Sequence, residues 1–212
     1  MELKTTQIEI AKKLLEIGTI KIQPDVPFTW ASGWKSPIYC DNRKTLSYPE
    51  TRELIRDKFV ELVSEKYPET EVIAGVATGA IAHGALVADK LGLPFIYVRS
   101  APKGHGLENL IEGDLKPNQK VLIIEDLIST GTSSLKTVDA IKNFGGEVIG
   151  MAAIFTYNFP QAEENFRKAN VELTTLSCYQ VLIELALAFG KISQEQANSL
   201  MKWREDPENW GK

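Results

Sequence analysis

Two adjacent carboxylates, Glu125 and Asp126, follow an apolar run and precede a turn of hydroxyl and glycine residues in the stretch VLIIEDLISTGTS, residues 121–133. Carboxylates accept hydrogen bonds from sugar hydroxyls and, through water, partner magnesium. The turn places the hydroxyls of Thr130, Thr132 and Ser133 around Gly131. A helix starting near Thr132 adds unpaired backbone N–H groups and the positive end of its dipole, which suits a phosphate monoester. Small residues let such an anion come close. No lysine follows Gly131, so the turn is not the P-loop of a nucleoside triphosphate site. An isolated acid pair is often only a solvated strand end, but joined to this turn and this apolar run it becomes a candidate site for a sugar phosphate.

These groups converge only if the apolar run is a buried strand that carries its acids to the carboxyl edge of a sheet, where open α/β proteins bind ligands. The flanking sequence predicts such a sheet. An N-terminal helix with Ile8, Ala11, Leu14 and Leu15 on one face is capped by Thr5 or Thr6 and ended by Gly18. Pro24, Pro27 and Pro37 then punctuate short apolar pieces, read as short strands and turns that form a cap over about 1–48. Pro49 opens a second helix with Ile55, Phe59, Leu62 and Val63 as its buried stripe, and Pro68 stops it. From there strands alternate with helices: a strand at 71–77, a helix at 77–92 and a strand at 94–99. After the opening stretch come a helix from about Thr132 to Phe144, a strand at 147–156, a helix near 161–169, a strand at 171–176 and two C-terminal helices. Residues 101–118 break the pattern. They mix Gly104, Gly106 and Gly113 with Lys103, His105 and Lys116, and read as a long mobile loop. The expected class is α/β, a mainly parallel central sheet flanked by helices with a small N-terminal cap of helix and short strands.

With 212 residues, 43% of them hydrophobic, the chain has the size and composition of one globular domain. A formal net charge of -4 argues against a general nucleic-acid coat. Cys40 and Cys178 lie far apart in different kinds of segment, which gives a disulfide framework or a zinc site almost no support. No run approaches a membrane span, and the amphipathic, acid-bearing N-terminus is unlike a signal peptide, so a cytoplasmic protein is expected. His83, among AIAHGAL on a helix, reads as a packed or surface histidine rather than a ligand, and Trp203 and Trp210 as anchors of the C-terminal tail.

The 121–133 constellation resembles the phosphoribosyl diphosphate (PRPP) signature of the type I phosphoribosyltransferases, in which a hydrophobic run, two acids and a Thr/Gly turn grip the ribose 5-phosphate. Two further stretches, FTWASGWKSPIYCDNR at 28–43 and YVRSAPKGHGLENLIEG at 97–113, are similar to the orotate phosphoribosyltransferases. The likeness continues through LTTLSCYQVLIELALAFGKI and covers nearly the whole chain.

The resemblance implies the type I phosphoribosyltransferase fold over 1–212 and the reaction of orotate with PRPP to orotidine 5'-monophosphate and diphosphate, with Mg2+, in pyrimidine synthesis. It implies that PRPP is bound by Arg99, Lys103, His105, Glu125, Asp126, Leu127, Ile128, Ser129, Thr130, Gly131, Thr132 and Ser133, and that Ser129 also meets orotate. Lys103, His105 and Asp126 are the implied catalytic residues, with the metal carried mainly by PRPP and water. It further implies a homodimer in which the loop at about 100–118 serves the partner's active site. The segment VATGAI at 76–81 matches the loop near the diphosphate. Some members carry lysines where this chain has Gly79 and Ala31, and an arginine for orotate where it has Asn158. Arg43 and Lys35 in the cap are candidates for the orotate carboxylate. Two other readings stay open: a transferase for a purine or another pyrimidine, and a non-catalytic PRPP-sensing regulator that binds RNA, against which the acidic balance counts.

Overall fold

The direction in which the chain winds across the central sheet reverses between two parallel strands, and this reversal creates the cleft. The computed structural model describes residues 3–30, 33–101 and 110–210. An N-terminal helix α1 (Leu3–Glu16) leads into four short strands, β1 (Ile20–Ile22), β2 (Phe28–Thr29), β3 (Lys35–Ser36) and β4 (Ile38–Cys40), and a 3-10 helix at Asn42–Ser47. β1 pairs with β4 and β2 with β3, both antiparallel. Next come α2 (Pro49–Lys66), β5 (Val72–Val76), α3 (Ile81–Leu91), β6 (Phe95–Val98), β7 (Ile111–Glu112) and β8 (Lys120–Ile128). The chain continues through α4 (Thr132–Phe144), β9 (Glu147–Thr156), α5 (Pro160–Ala169), β10 (Leu173–Cys178), α6 (Tyr179–Ala188) and α7 (Gln194–Glu205).

The six-stranded sheet has the order β10-β9-β8-β5-β6-β7, with every neighbouring pair parallel except β6 and β7. From β5 the chain winds outward to β6, then returns across β5 to β8 and winds the other way. Right-handed crossovers then place α3 and α4 on opposite faces. Accordingly α2 packs on α1 and α3, while α4 packs on α5. β8 is apolar and buried along Val121–Ile124 because helices cover both of its faces.

Several local readings change. α1 starts at Leu3 and Thr6 lies buried within it, so neither Thr5 nor Thr6 caps this helix. Gly18 does adopt the left-handed conformation (φ 67°) that ends it. Residues 77–80 are a turn rather than the start of α3, because the chain must reverse at the edge of the sheet before it can return as a helix. The last strand runs from Leu173 to Cys178, two residues later than its pattern suggested. Of the segment expected to be a mobile loop, residues 110–118 are built into the fold. β7 hydrogen-bonds antiparallel to β6 and Leu115 is buried, since their apolar side chains close the sheet's outer end. Lys103, His105, Gly104 and Gly106 lie outside the described residues, as does Ala31.

An aromatic cluster ties the cap to the sheet and the C-terminal helix. Trp203 on α7 is fully buried, donates its indole N–H to the Lys35 carbonyl at 3.1 Å, and meets Trp30, Tyr157 and Phe159 edge-on. Such ring pairs add roughly 0.5–1.5 kcal/mol each beyond the area they bury.

α3 is braced against the 3-10 helix by His83, 1% exposed, whose Nε2 lies 3.1 Å from Thr45 Oγ1. Burial lowers its pKa from 6.5 to about 4. The folded protein therefore keeps His83 neutral while the unfolded chain binds the proton, so stability falls as pH drops from about 6.5 towards 4. The loss from this residue reaches about 3 kcal/mol, at about 1.4 kcal/mol per pKa unit. Urea unfolding across that window is expected to show the slope in the wild type and a flatter one in His83→Gln. An unchanged slope would assign the acid sensitivity to other groups.

Candidate active site

Pairing between β5 and β8 ends at Gly75 and Ile124, but β8 continues beside β9 as far as Ile128. Glu125 and Asp126 thus sit where β5 has turned away, at the switch point of the sheet, where α/β folds open a crevice. A cleft of about 460 Å³ occupies this place. Its walls are Val76, Ala77, Thr78 and Gly79 after β5, the acids and Leu127 on β8, the turn residues Ser129, Thr130, Gly131, Ser133 and Ser134, and Cys40, Asp41 and Arg43 from the cap.

The two acids are not equivalent. Glu125 is 5% exposed, and its carboxylate accepts from the Ser134 hydroxyl at 2.7 Å and from the Asp126 backbone N–H at 2.9 Å. Burial, with the neighbouring charge of Asp126, pushes its pKa well above the usual carboxylate range. Burial also raises Asp126, while Glu125 and the Arg43 guanidinium pull it back. Asp126 is only half-buried and faces the cleft, so the pair's negative charge resides mainly there. Gly79 is what allows the opposite wall to approach it, because a Cβ at this position would lie 2.5 Å from the Asp126 carboxyl. With this loop geometry, a lysine in place of Gly79 would collide with the acid.

The turn forms an anion cradle. Gly131 takes the left-handed conformation (φ 76°) at the N-cap of α4, and no side chain caps the helix. A Cβ on Gly131 would also meet the Phe166 ring at 2.7 Å, so both backbone and packing demand glycine. Asn165 on α5 braces the turn by donating to the Thr130 carbonyl at 2.9 Å. Thr130 and Thr132 share a hydrogen bond at 3.2 Å between their hydroxyls. The N–H groups of the first turn of α4, with these hydroxyls, suit a phosphate.

One expected binding residue turns away from the site: the side chain of Ile128 is fully buried in the core, and its carbonyl accepts from the Tyr157 N–H at 3.0 Å. Arg99 is placed just beyond β6, with Nη1 3.6 Å from Glu112 Oε1.

A second hollow, of about 280 Å³, opens beside the cleft and shares Cys40, Leu127 and Ser129 with it. Its other walls are Thr29, Trp30, Tyr39 and Tyr157, an aromatic setting for a planar ring. Sequence reading did not single out Trp30, Tyr39 and Tyr157 as the walls of a hollow. The position of Tyr157 just past the end of a parallel strand was the available signal. Lys35 reaches this hollow's rim, donating from Nζ to the Thr29 hydroxyl at 2.9 Å. Arg43 instead lies at the first cleft, 60% exposed and paired with Asp41 at 2.7 Å. Asn158 lines neither of these hollows, and Arg204 from α7 donates to its carbonyl at 2.9 Å.

Residues 46–181 match the family model described as "Phosphoribosyl transferase domain". The chain is 63% identical over 209 residues to the orotate phosphoribosyltransferase of Porphyromonas gingivalis, covering 99% of this chain and 100% of that protein. It is 57% identical over 208 residues to that of Bacteroides thetaiotaomicron, with 98% of each covered. The chain belongs to the orotate phosphoribosyltransferase family. A crystal structure of the family member from Aeropyrum pernix superposes with a TM-score of 0.76 at 26% identity, covering 87% of this chain and 99% of that one. The adenine phosphoribosyltransferase of Leishmania tarentolae superposes at 0.61 with 23% identity, covering 81% of this chain and 88% of that one, so the fold alone does not select the base.

Within this family the approach of the 77–80 turn to Asp126 becomes a testable requirement. Gly79→Ala is expected to lower kcat/KM for PRPP at least about tenfold, because the acid must swing aside. Steady-state kinetics beside a thermal melt checks this, and full activity in a normally folded variant would show that Asp126 tolerates displacement.

Proposed function

We propose that this protein transfers the 5-phosphoribosyl group from PRPP to orotate, releasing diphosphate and forming orotidine 5'-monophosphate for pyrimidine synthesis. The observation that carries the reading is the continuity of three compartments: anion cradle, acid-lined cleft and aromatic hollow, joined through Ser129, Leu127 and Cys40. Their order matches the order of phosphate, ribose and base in the product.

In the reaction the bond from C1' to the diphosphate oxygen breaks, its electron pair leaves with diphosphate, and a ring nitrogen of deprotonated orotate bonds to C1'. The ribose passes through a cationic, oxocarbenium-like state, so the protein must hold the sugar and neutralise the leaving group. The start of α4 with Thr130, Gly131, Thr132 and Ser133 holds the 5-phosphate. Asp126 accepts from a ribose hydroxyl and its charge favours the cationic ring, while Glu125 keeps Asp126 and Ser134 in place. Ser129 stands between ribose and base. Trp30, Tyr39 and Tyr157 bracket the pyrimidine, and Lys35 at the rim is better placed than Arg43 for its carboxylate. Arg99, Lys103 and His105 gather on the departing diphosphate.

The donor set fits a Mg2+ that arrives with PRPP. Of the three acids that line the cleft, Glu125 is buried and Asp41 is paired with Arg43, which leaves Asp126 to meet it. Mg2+ favours such sites, keeping water and substrate phosphates as ligands and neutralising diphosphate charge. Asp126 would meet it through water.

Residues 1–212 act as one phosphoribosyltransferase unit, with about 1–48 as a hood over the base. The protein works as a homodimer in the cytoplasm, where both charged substrates are dissolved, and the segment at about 100–118 serves the partner's active site. No helix among the described residues is long and apolar enough to cross a membrane.

Loss of orotate absorbance on adding PRPP and Mg2+ is the expected activity, with uracil, adenine and hypoxanthine inert. A folded protein that does not consume orotate would refute the assignment. Mixing strongly impaired Lys103→Ala with strongly impaired Asp126→Asn under subunit exchange is expected to raise activity well above either alone, because some dimers then hold one intact site. No recovery despite proven exchange would place the loop in its own subunit's site.

A further inference from the structure

Asn42 sits at the start of the 3-10 helix, wholly buried, and reaches 84 positions along the chain to β8. Its Nδ2 donates to the backbone carbonyl of Asp126 at 2.6 Å. Its Oδ1 accepts from the Cys40 thiol at 3.2 Å, and its own carbonyl accepts from the Thr45 hydroxyl at 2.6 Å. Thr45 has one proton and gives it to Asn42, so at its 3.1 Å contact with His83 Nε2 the histidine must donate. His83 therefore carries its proton on Nε2, and Nδ1 is a buried acceptor with no hydrogen-bond partner among the described residues. The chain of contacts runs from α3 through the 3-10 helix to β8 and ends on the peptide that bears Asp126.

That peptide needs a partner from outside the sheet. β5 has left β8 after Ile124, and β9 pairs with Glu125 and Leu127, the residues on either side of Asp126. We propose that Asn42 is a positioning residue for Asp126, with Thr45 and His83 as its brace. It clamps the one stretch of β8 that the β5 side no longer supports, and so sets where the Asp126 carboxylate meets the ribose. Asparagine suits the role because one rigid amide supplies the donor for the carbonyl and the acceptor for Cys40. An aspartate would present only acceptors beside the Asp126 carbonyl.

The proposal rests on Asp126 as a ribose partner, and three variants separate the two ideas. Asn42→Ala is expected to lower kcat about 10- to 100-fold, the range in which a displacement of about 1 Å acts on a reacting geometry. KM for orotate and the folded fraction should stay at wild-type levels, which general damage to the fold would not allow. In an Asp126→Asn background the same change should cost little more, because the group being positioned is already disabled. Asn42→Ala at wild-type kcat beside an impaired Asp126→Asn would overturn the proposal alone, as would a full additional loss in the double variant. Wild-type kcat in Asp126→Asn would remove the role of Asp126 and the proposal with it. If Asn42→Ala does not fold, Thr45→Val carries the test: it keeps shape, removes the brace, and should lower kcat only where Asp126 is intact.

Discussion

β5 and β8 part after Gly75 and Ile124, and the acid-lined cleft occupies the gap they leave. Within the paired region the sheet has no room for a ligand. Beyond it, β8 continues without β5 beside it, and Asp126 there faces a turn held close by Gly79. The gap arises because the chain reverses its winding direction between these two strands, which sends their following segments to opposite faces. Cradle, cleft and base hollow are all consequences of this one topological event.

Such a gap is useful only if its walls are rigid, and much of that rigidity comes from outside the sheet. The cap is too small to hold its own shape, with strands of two or three residues each. It is fixed by being packed between α7 and the sheet through Trp203, Trp30, Tyr157 and Phe159. Two of these rings, Trp30 and Tyr157, also wall the aromatic hollow, so the force that holds the cap on also shapes the place where a pyrimidine would lie. Asn42 adds a polar tether between cap and β8 at the acid itself.

Electrostatics divides labour between two residues that look alike on paper. Glu125 faces inward, takes hydrogen bonds from Ser134 and from the Asp126 amide, and holds its proton more tightly for being buried. Asp126 keeps one side towards the cleft and carries the charge. Two exposed acids would repel each other and any incoming phosphate, whereas one buried acid and one facing the cleft concentrate the pair's charge at the cleft.

Much of the architecture was legible in the chain alone. α4 and β9 were expected near Thr132–Phe144 and at 147–156, and they occupy those residues, because a buried parallel strand must be continuously apolar and a covering helix must be amphipathic. The acid pair and the Ser129–Ser133 turn were readable for the same reason: their types and spacing are local. What the chain did not reveal is non-local. The inward turn of Ile128, the unequal fates of Glu125 and Asp126, the aromatic hollow of Trp30, Tyr39 and Tyr157, and the reach of Asn42 to Asp126 each depend on segments far apart in sequence. Periodicity reports which side of an element is buried, but not what it is buried against. Sequence by itself determined the elements and the kinds of residue gathered at the end of β8. Only the tertiary structure decided which acid faces the cleft and what holds it there, because burial and partner distance exist only once those segments have packed together.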